Sequence, residues 1–173
     1  GYGIAQKIVS FIMLVPSSIM QSVSAFVAQN IGAGKYDRAK QTLRYAMMIA
    51  IGFGLVVSIL IQFIAAPVVG LFTADTAVIL LGAQYIRGYI WDCIFAGVHF
   101  SFSGYFCACG KSGISFLHNL IAILCVRIPG VYLTSKIFPH TLFPMGLATA
   151  TGSLLSVIIC IIAYRWLCEK SGK

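Results

Sequence analysis

The chain has 173 residues, of which 60% are hydrophobic and 9% charged. A soluble domain carries about 25% charged residues, whereas only four carboxylates, Asp37, Asp75, Asp92 and Glu169, are available here to cover a surface. A water-soluble globule is excluded. The net charge of +8 sits in short groups between apolar runs, which points to membrane topology rather than a nucleic-acid groove.

A transmembrane helix needs about 20 mostly apolar residues. Residues 1–173, read as a single membrane domain, contain five such runs, at about 8–31, 45–66, 77–108, 114–138 and 145–166. The expected fold is therefore an all-α, polytopic membrane helix bundle of five spans. The chain opens on Gly1 without a charged leader, which predicts no signal peptide and a start inside a longer protein.

In the first run, Pro16 removes a helical donor and predicts a kink. Ser17, Ser18, Gln21, Ser22 and Ser24 follow it as a polar stripe. Such a stripe suits either a water-filled cavity or close, serine-mediated helix packing. The run ends at Ile31-Gly32-Ala33-Gly34, and Lys35 to Lys40 reads as a short amphipathic restart. The second run has only Ser58 and Gln62 as clearly polar residues, with Pro67 expected to close it.

The third run carries Asp92 near its middle and His99 seven residues later, about two turns along the same face. A carboxylate at that depth costs about 2.5–3.5 kcal/mol to insert, so it faces a cavity or a partner. Exchange of a proton or Na⁺ at Asp92 and a structural ion pair are both open readings. His99 is either a proton relay or a packing residue. The fourth run holds Arg127, in Cys125-Val126-Arg127-Ile128-Pro129-Gly130. It is the natural ion-pair partner of Asp92, or else a cavity residue. His118 lies nearer the end of that run, where solvent access is expected.

Gly110-Lys111-Ser112-Gly113 reads as a tight turn, and Pro139 with Pro144 brackets the last loop. In the last run Ala148, Gly152 and Ser156 recur every four residues as a face for close helix approach. Gly52, Gly54, Gly97 and Gly104 suggest the same purpose. None of the six cysteines has a redox or zinc spacing, and no catalytic set or metal-ligand cluster is found, so no enzyme activity, cofactor or metal is expected.

Lys35, Arg38, Lys40, Arg44, Lys111, Arg165, Lys170 and Lys173 fall on one side of the spans, and Lys7, Arg87 and Lys136 on the other. Eight against three assigns the first side, with the C-terminus, to the cytoplasm.

Pro16-Ser17-Ser18 through Gln29-Asn30-Ile31-Gly32-Ala33-Gly34 resembles the multidrug and toxic compound extrusion (MATE) transporters. The stretch Ser103 to Ser112, Arg127-Ile128-Pro129 and Leu142-Phe143-Pro144-Met145-Gly146 are similar to that family too. The resemblance implies two six-helix lobes, with this chain matching helices eight to twelve of the C-terminal lobe. The N-terminal lobe is then a missing partner, alongside the lipid bilayer. It further implies export of small cationic, aromatic compounds in exchange for H⁺ or Na⁺ by alternating access, in a bacterial inner membrane, with Asp92 in the helix that carries a cation-site acid. Gln21, Ser17, Ser18 and Tyr105 are candidates for lining the substrate cavity. Tyr45, Phe95 and Phe106 offer further stacking surface. The alternatives are a lipid-linked or polysaccharide flippase, whose cavity would be ringed with Arg and Lys, and an inactive truncated scaffold.

Overall fold

The computed structural model describes residues 2–138 and 141–171. Pro139 and Lys173, on which an expected loop proline and one expected basic residue fall, lie outside the described residues, as do the side chains of Glu169 and Lys170. The chain is a bundle of α1 (Tyr2–Ile12), α2 (Leu14–Gly32), α3 (Tyr36–Gly70), α4 (Thr76–Tyr89), α5 (Asp92–Ala108), α6 (Ser112–Ala122), α7 (Ile128–Ile137) and α8 (Phe143–Ser171). A π-helical turn, Ile123–Arg127, joins α6 to α7 without a gap. The all-α membrane bundle expected from the composition is the fold observed. Among the described residues, four stretches are long and apolar enough to cross a membrane: Gly3–Gly32, Tyr36–Gly70, Ser112–Ile137 and Phe143–Cys168. Their large side chains face outward, as lipid contact requires; Phe63 is 78% exposed and Ile49 64%.

The stretch expected as one third span is instead two helices, α4 and α5, that meet at Ile90–Trp91. The cause is a local tightening of the ladder. Cys93 donates its backbone N–H to the Ile90 carbonyl at 2.9 Å and Ile94 donates to Trp91 at 3.3 Å, so the bonds step back three residues rather than four. That leaves carbonyls short of helical donors, and in hydrocarbon each must be satisfied within the protein. Ser58 Oγ donates to the Ile90 carbonyl and Gln62 Nε2 to the Arg87 carbonyl, each at 3.1 Å. The two polar residues of the second apolar run thus serve the break in the third.

The helix break near Pro16 falls at Met13, between α1 and α2. Its ring would clash with the carbonyl four residues earlier, that of Ile12, so the helix yields there. Ser17 Oγ donates to Met13 O and Ser18 Oγ to Leu14 O, each at 2.9 Å. Elsewhere helices outrun the sequence reading. Lys35–Lys40 is not a separate element, because Tyr36 already opens α3. Pro67 does not close that helix, which continues to Gly70; one lost donor in the last turn is insufficient to stop it.

Two connections share one design. Lys35 N–H donates to Asn30 O and Gly34 N–H to Ile31 O; Lys111 N–H donates to Phe106 O and Gly110 N–H to Cys107 O. Both are Schellman ends, and both need a left-handed residue, supplied by Gly34 (φ 69°) and Gly110 (φ 70°). Helix α4 starts on Asp75, whose Oδ1 accepts from the N–H groups of Ala77 (2.9 Å) and Val78 (3.3 Å), the expected N-cap role.

The α8 face Ala148, Gly152 and Ser156 receives the α6–α7 stretch in antiparallel order. A Cβ on Gly130 would touch Ala148, Gly152 lies under the Arg127 side chain, and Ser156 bonds His118. Of the other glycines expected at close approaches, Gly54 meets Ile94, Gly97 meets Ala50 and Gly104 meets the Met20 carbonyl, while Gly52 faces open space.

Candidate functional site

Three irregularities of the backbone converge on one cavity of about 170 Å³. It is lined by Met13 from the α1–α2 break, Tyr89 and Asp92 from the α4–α5 break, and Ile123 and Arg127 from the π-helical turn, with Ala96, His99, Phe100 and Asn119 completing the wall. Each helix is discontinuous for its own reason. Pro16 breaks the first, tightened bonds break the second, and Pro129, with no N–H to give, follows the widened turn in the third.

Asp92 is 1% exposed and sits in the first turn of α5. The aligned peptide dipoles of a helix start favour an anion there. An uninterrupted third span would deny the carboxylate this position. Its Oδ2 lies 3.5 Å from the Arg127 guanidinium, whose side chain is 27% exposed. Arg127 Nη2 also donates to Ser153 Oγ at 2.5 Å. Pairing offsets part of the desolvation that a buried charge costs. Gly152 makes the pairing sterically feasible, since a Cβ there would sit against the Arg127 Cγ. Asp92 Oδ1 and Arg127 Nε have no hydrogen-bond partner among the described residues and border the cavity.

His99, 2% exposed, lines the same cavity, and neither of its ring nitrogens has a hydrogen-bond partner among the described residues. Its ring meets that of His118 edge to face, with centroids 5.7 Å apart. His118 corrects the expectation of solvent access: it is 1% exposed. Nε2 lies 2.9 Å from Ser103 Oγ and Nδ1 3.3 Å from Ser156 Oγ. The reason is its facing: α6 turns this residue inward against α5 and α8 rather than toward the helix end.

The remaining candidates do not share this cavity. Ser17 and Gln21 line a second one of about 420 Å³, between α2, α5 and α6, with Ser103, Ser115 and Asn119. Ser18 faces a third, of about 510 Å³, between α2 and α3 beside Tyr45. Tyr105 lies at the basic end, in a cavity of about 300 Å³ with Tyr36, Lys40, Lys111 and Cys168. Phe106 is fully buried in the core. Sequence reasoning missed Ser103, Ser153 and Ser156 as polar partners. Asp92, Ala96, His99 and Ser103 stand four, three and four residues apart on α5, and that helical spacing was the available signal.

The chain matches the MatE family model over residues 1–133. It is 27% identical to the FAD transporter of Shewanella oneidensis, covering 97% of this chain and 37% of that protein. It is 26% identical to the probable multidrug resistance protein NorM of Halalkalibacterium halodurans (94% and 34% covered), and 25% identical to the human multidrug and toxin extrusion protein 1 (92% and 26%). It therefore spans little more than a third of the first two relatives. No solved structure gives a significant match. With its membrane-length helices and a family model covering most of its length, the chain is a multi-pass membrane protein and belongs to the MatE family.

Proposed function

We propose that the chain forms helices eight to twelve, the C-terminal lobe, of a secondary-active multidrug efflux antiporter. That transporter exports cationic, aromatic compounds in exchange for H⁺ or Na⁺ by alternating access, and needs no cofactor beyond the coupling ion. The observation that carries this reading is the buried Asp92–Arg127 pair at the meeting point of three helix breaks. Names of relatives such as the probable multidrug resistance protein NorM support the substrate class.

The geometry supplies a mechanism. With Asp92 ionised, its attraction to Arg127 ties the start of α5 to the π-helical turn. A coupling cation that neutralises Asp92 removes this tie, while Ser153 retains the guanidinium on α8. The α6–α7 side, with the guanidinium held on α8, is then free to shift against the braced start of α5, and that shift is the lobe's contribution to exchanging inward and outward states. Lys40, in the second turn of α3, and Lys111, between α5 and α6, line one cavity at the end where α8 finishes. Clustering of basic residues at that end supports a cytoplasmic assignment for it and for the C-terminus, in a bacterial inner membrane.

A second reading concerns the cargo. The same cavity presents Tyr36 and Tyr105 beside the two lysines, a set suited to an aromatic anion, and one relative is named an FAD transporter. Ethidium and FAD efflux, measured on the full-length protein with the proton gradient collapsed in one arm and Na⁺ removed in the other, tests both readings. Ion-dependent ethidium efflux that Asp92→Asn abolishes supports the antiporter; FAD movement alone supports the second cargo. No transport of either, with the protein in the membrane, defeats both.

A further inference from the structure

We propose that the basic end of the bundle carries a site for an anionic phospholipid, with its phosphate held between Lys40 and Arg44 and one of its chains laid in the notch between α3 and α8. The proposal rests on the membrane fold alone and is independent of the cargo and of the coupling ion.

The notch exists because α3 and α8 both approach α5, which forms its floor. Its cavity, of about 450 Å³, is lined chiefly by Lys40, Leu43, Arg44 and Met47 from α3, Phe102 from α5 and Tyr164 from α8. Leu43 is 1% exposed and Phe102 4%, and the Phe102 and Tyr164 rings meet with centroids 5.7 Å apart. The floor is therefore well-packed core. Lys40 and Arg44, by contrast, are exposed.

Polarity is graded along the notch. Helix α3 runs inward from the basic end, and at 1.5 Å per residue Met47 lies about 10 Å deeper than Lys40. Phe102 is set back by about 9 Å from the end of α5 at Ala108. The cations thus stand at the membrane surface, and the apolar side chains lie beneath them at the depth of acyl chains. Tyr164 suits the level between, where tyrosines favour the membrane interface. This is the profile of an anionic head on an alkyl chain. A soluble anion would use the two cations and leave the apolar slot unfilled. A neutral lipid would fill the slot and leave the cations without a counter-charge.

That counter-charge does not come from the protein. Among the described residues the one salt bridge joins Arg127 to Asp92, so neither Lys40 nor Arg44 is paired with a carboxylate there. The two stand one turn apart on one face of α3. A guanidinium forks onto two phosphate oxygens, and an ammonium beside it adds a point charge. Both stems lie along apolar surface while the heads stay at the polar level. Lys40 also borders the neighbouring cavity, where Lys111 adds a third cation. Basic pockets between membrane helices recognise anionic headgroups in this way. A lipid seated here touches α3, α5 and α8 together and braces the basic end of the bundle.

The test takes the full-length protein in detergent with phosphatidylglycerol or with phosphatidylcholine of the same chains, and reads retained lipid by native mass spectrometry. Phosphatidylglycerol should be retained about tenfold more than phosphatidylcholine, and Lys40→Gln/Arg44→Gln should abolish that preference. Lys35→Gln/Arg38→Gln removes the same charge from the same end outside the notch, and should leave the preference in place. Met47→Trp fills the slot while keeping both cations, and should lower phosphatidylglycerol retention about tenfold. Equal loss in the two charge variants overturns the site in favour of a diffuse basic surface. Full retention in Met47→Trp, or displacement of the lipid by millimolar glycerol phosphate, overturns the lipid in favour of a bare phosphate site. Equal retention of phosphatidylglycerol and phosphatidylcholine by the native protein overturns recognition of the anionic head. Should Met47→Trp fail to insert, Met47→Phe replaces it, and retention is read per folded molecule.

Discussion

The α4–α5 break and the α6–α7 stretch both interrupt a helix at the depth of the charged pair, by opposite means. The α4–α5 interruption contains no proline; its ladder tightens, and the carbonyls of Arg87 and Ile90 take side-chain donors, Gln62 and Ser58, from another helix. The α6–α7 interruption widens instead, the Ile128 N–H reaching back to Ile123 just ahead of Pro129, with no side-chain brace from another helix to its backbone found among the described residues. The first is bonded through its neighbours and the second is autonomous. Because the carboxylate rides on the dependent break and the guanidinium on the autonomous one, the pair links a braced element to a freely adjustable one. That difference assigns motion to the α6–α7 side.

The largest effect should come from separating the pair. Arg127→Ala leaves Asp92 buried without its counter-charge, an expected loss of about 3 kcal/mol, read as a fall in folded yield and in thermal stability in detergent. Asp92→Asn combined with Arg127→Ala should recover most of that loss, because the orphaned charge is gone. A double variant as unstable as Arg127→Ala would mean that the guanidinium acts through Ser153 rather than Asp92.

Next in size is Gly152→Ala. The added methyl would collide with the Arg127 side chain, and overpacking of this kind costs about 1–3 kcal/mol. The loss should shrink in the Arg127→Ala background, where the obstacle is absent. An undiminished loss there would trace the damage to the backbone of α8.

Removing the braces tests the dependent break itself. Ser58→Ala takes the side-chain donor from the Ile90 carbonyl, and Gln62→Leu does so at Arg87. Each should cost about 1 kcal/mol, and hydrogen exchange should quicken at the start of α5 while α6–α7 stays unchanged. Equal quickening in both stretches would show that the two interruptions are not independent.

How far the sequence disclosed this arrangement depended on whether the cause was local. Four of the five apolar runs coincide with membrane-length helices because hydropathy is summed along the chain, and Asp92 and Arg127 stood out because charge is rare at bilayer depth. The break at Ile90–Trp91 was not legible. No proline or glycine occupies those two positions, and the stabilising donors lie on α3, some thirty residues earlier in the chain. His118 was misjudged for a similar reason: position along a helix gives depth, but inward facing is set by the neighbours. Grouping Ser17, Ser18, Gln21 and Tyr105 as one lining also went beyond what adjacency supports, since the helix turns Ser17 and Ser18 toward different cavities.

The smallest effect on stability, and the sharpest test of autonomy, is Pro129→Ala. Restoring the N–H allows the wide turn to close into a regular α-helix, and removing a proline from a helix relieves a steric conflict with the preceding turn. Stability should change by no more than about 1 kcal/mol, because no neighbouring side chain among the described residues braces the backbone of the turn. Annealing it would rotate residues after the turn relative to α8, so Arg127 and Asp92 should come out of register and drug exchange should slow severalfold. The contrast with Ser58→Ala is the decisive feature. There stability falls because an outside brace is lost, whereas here stability holds and only exchange suffers. Pro129→Ala with native exchange and native stability would reduce the π-helical turn to a packing accommodation, and the adjustable side of the pair would then have to be sought at the Met13 break.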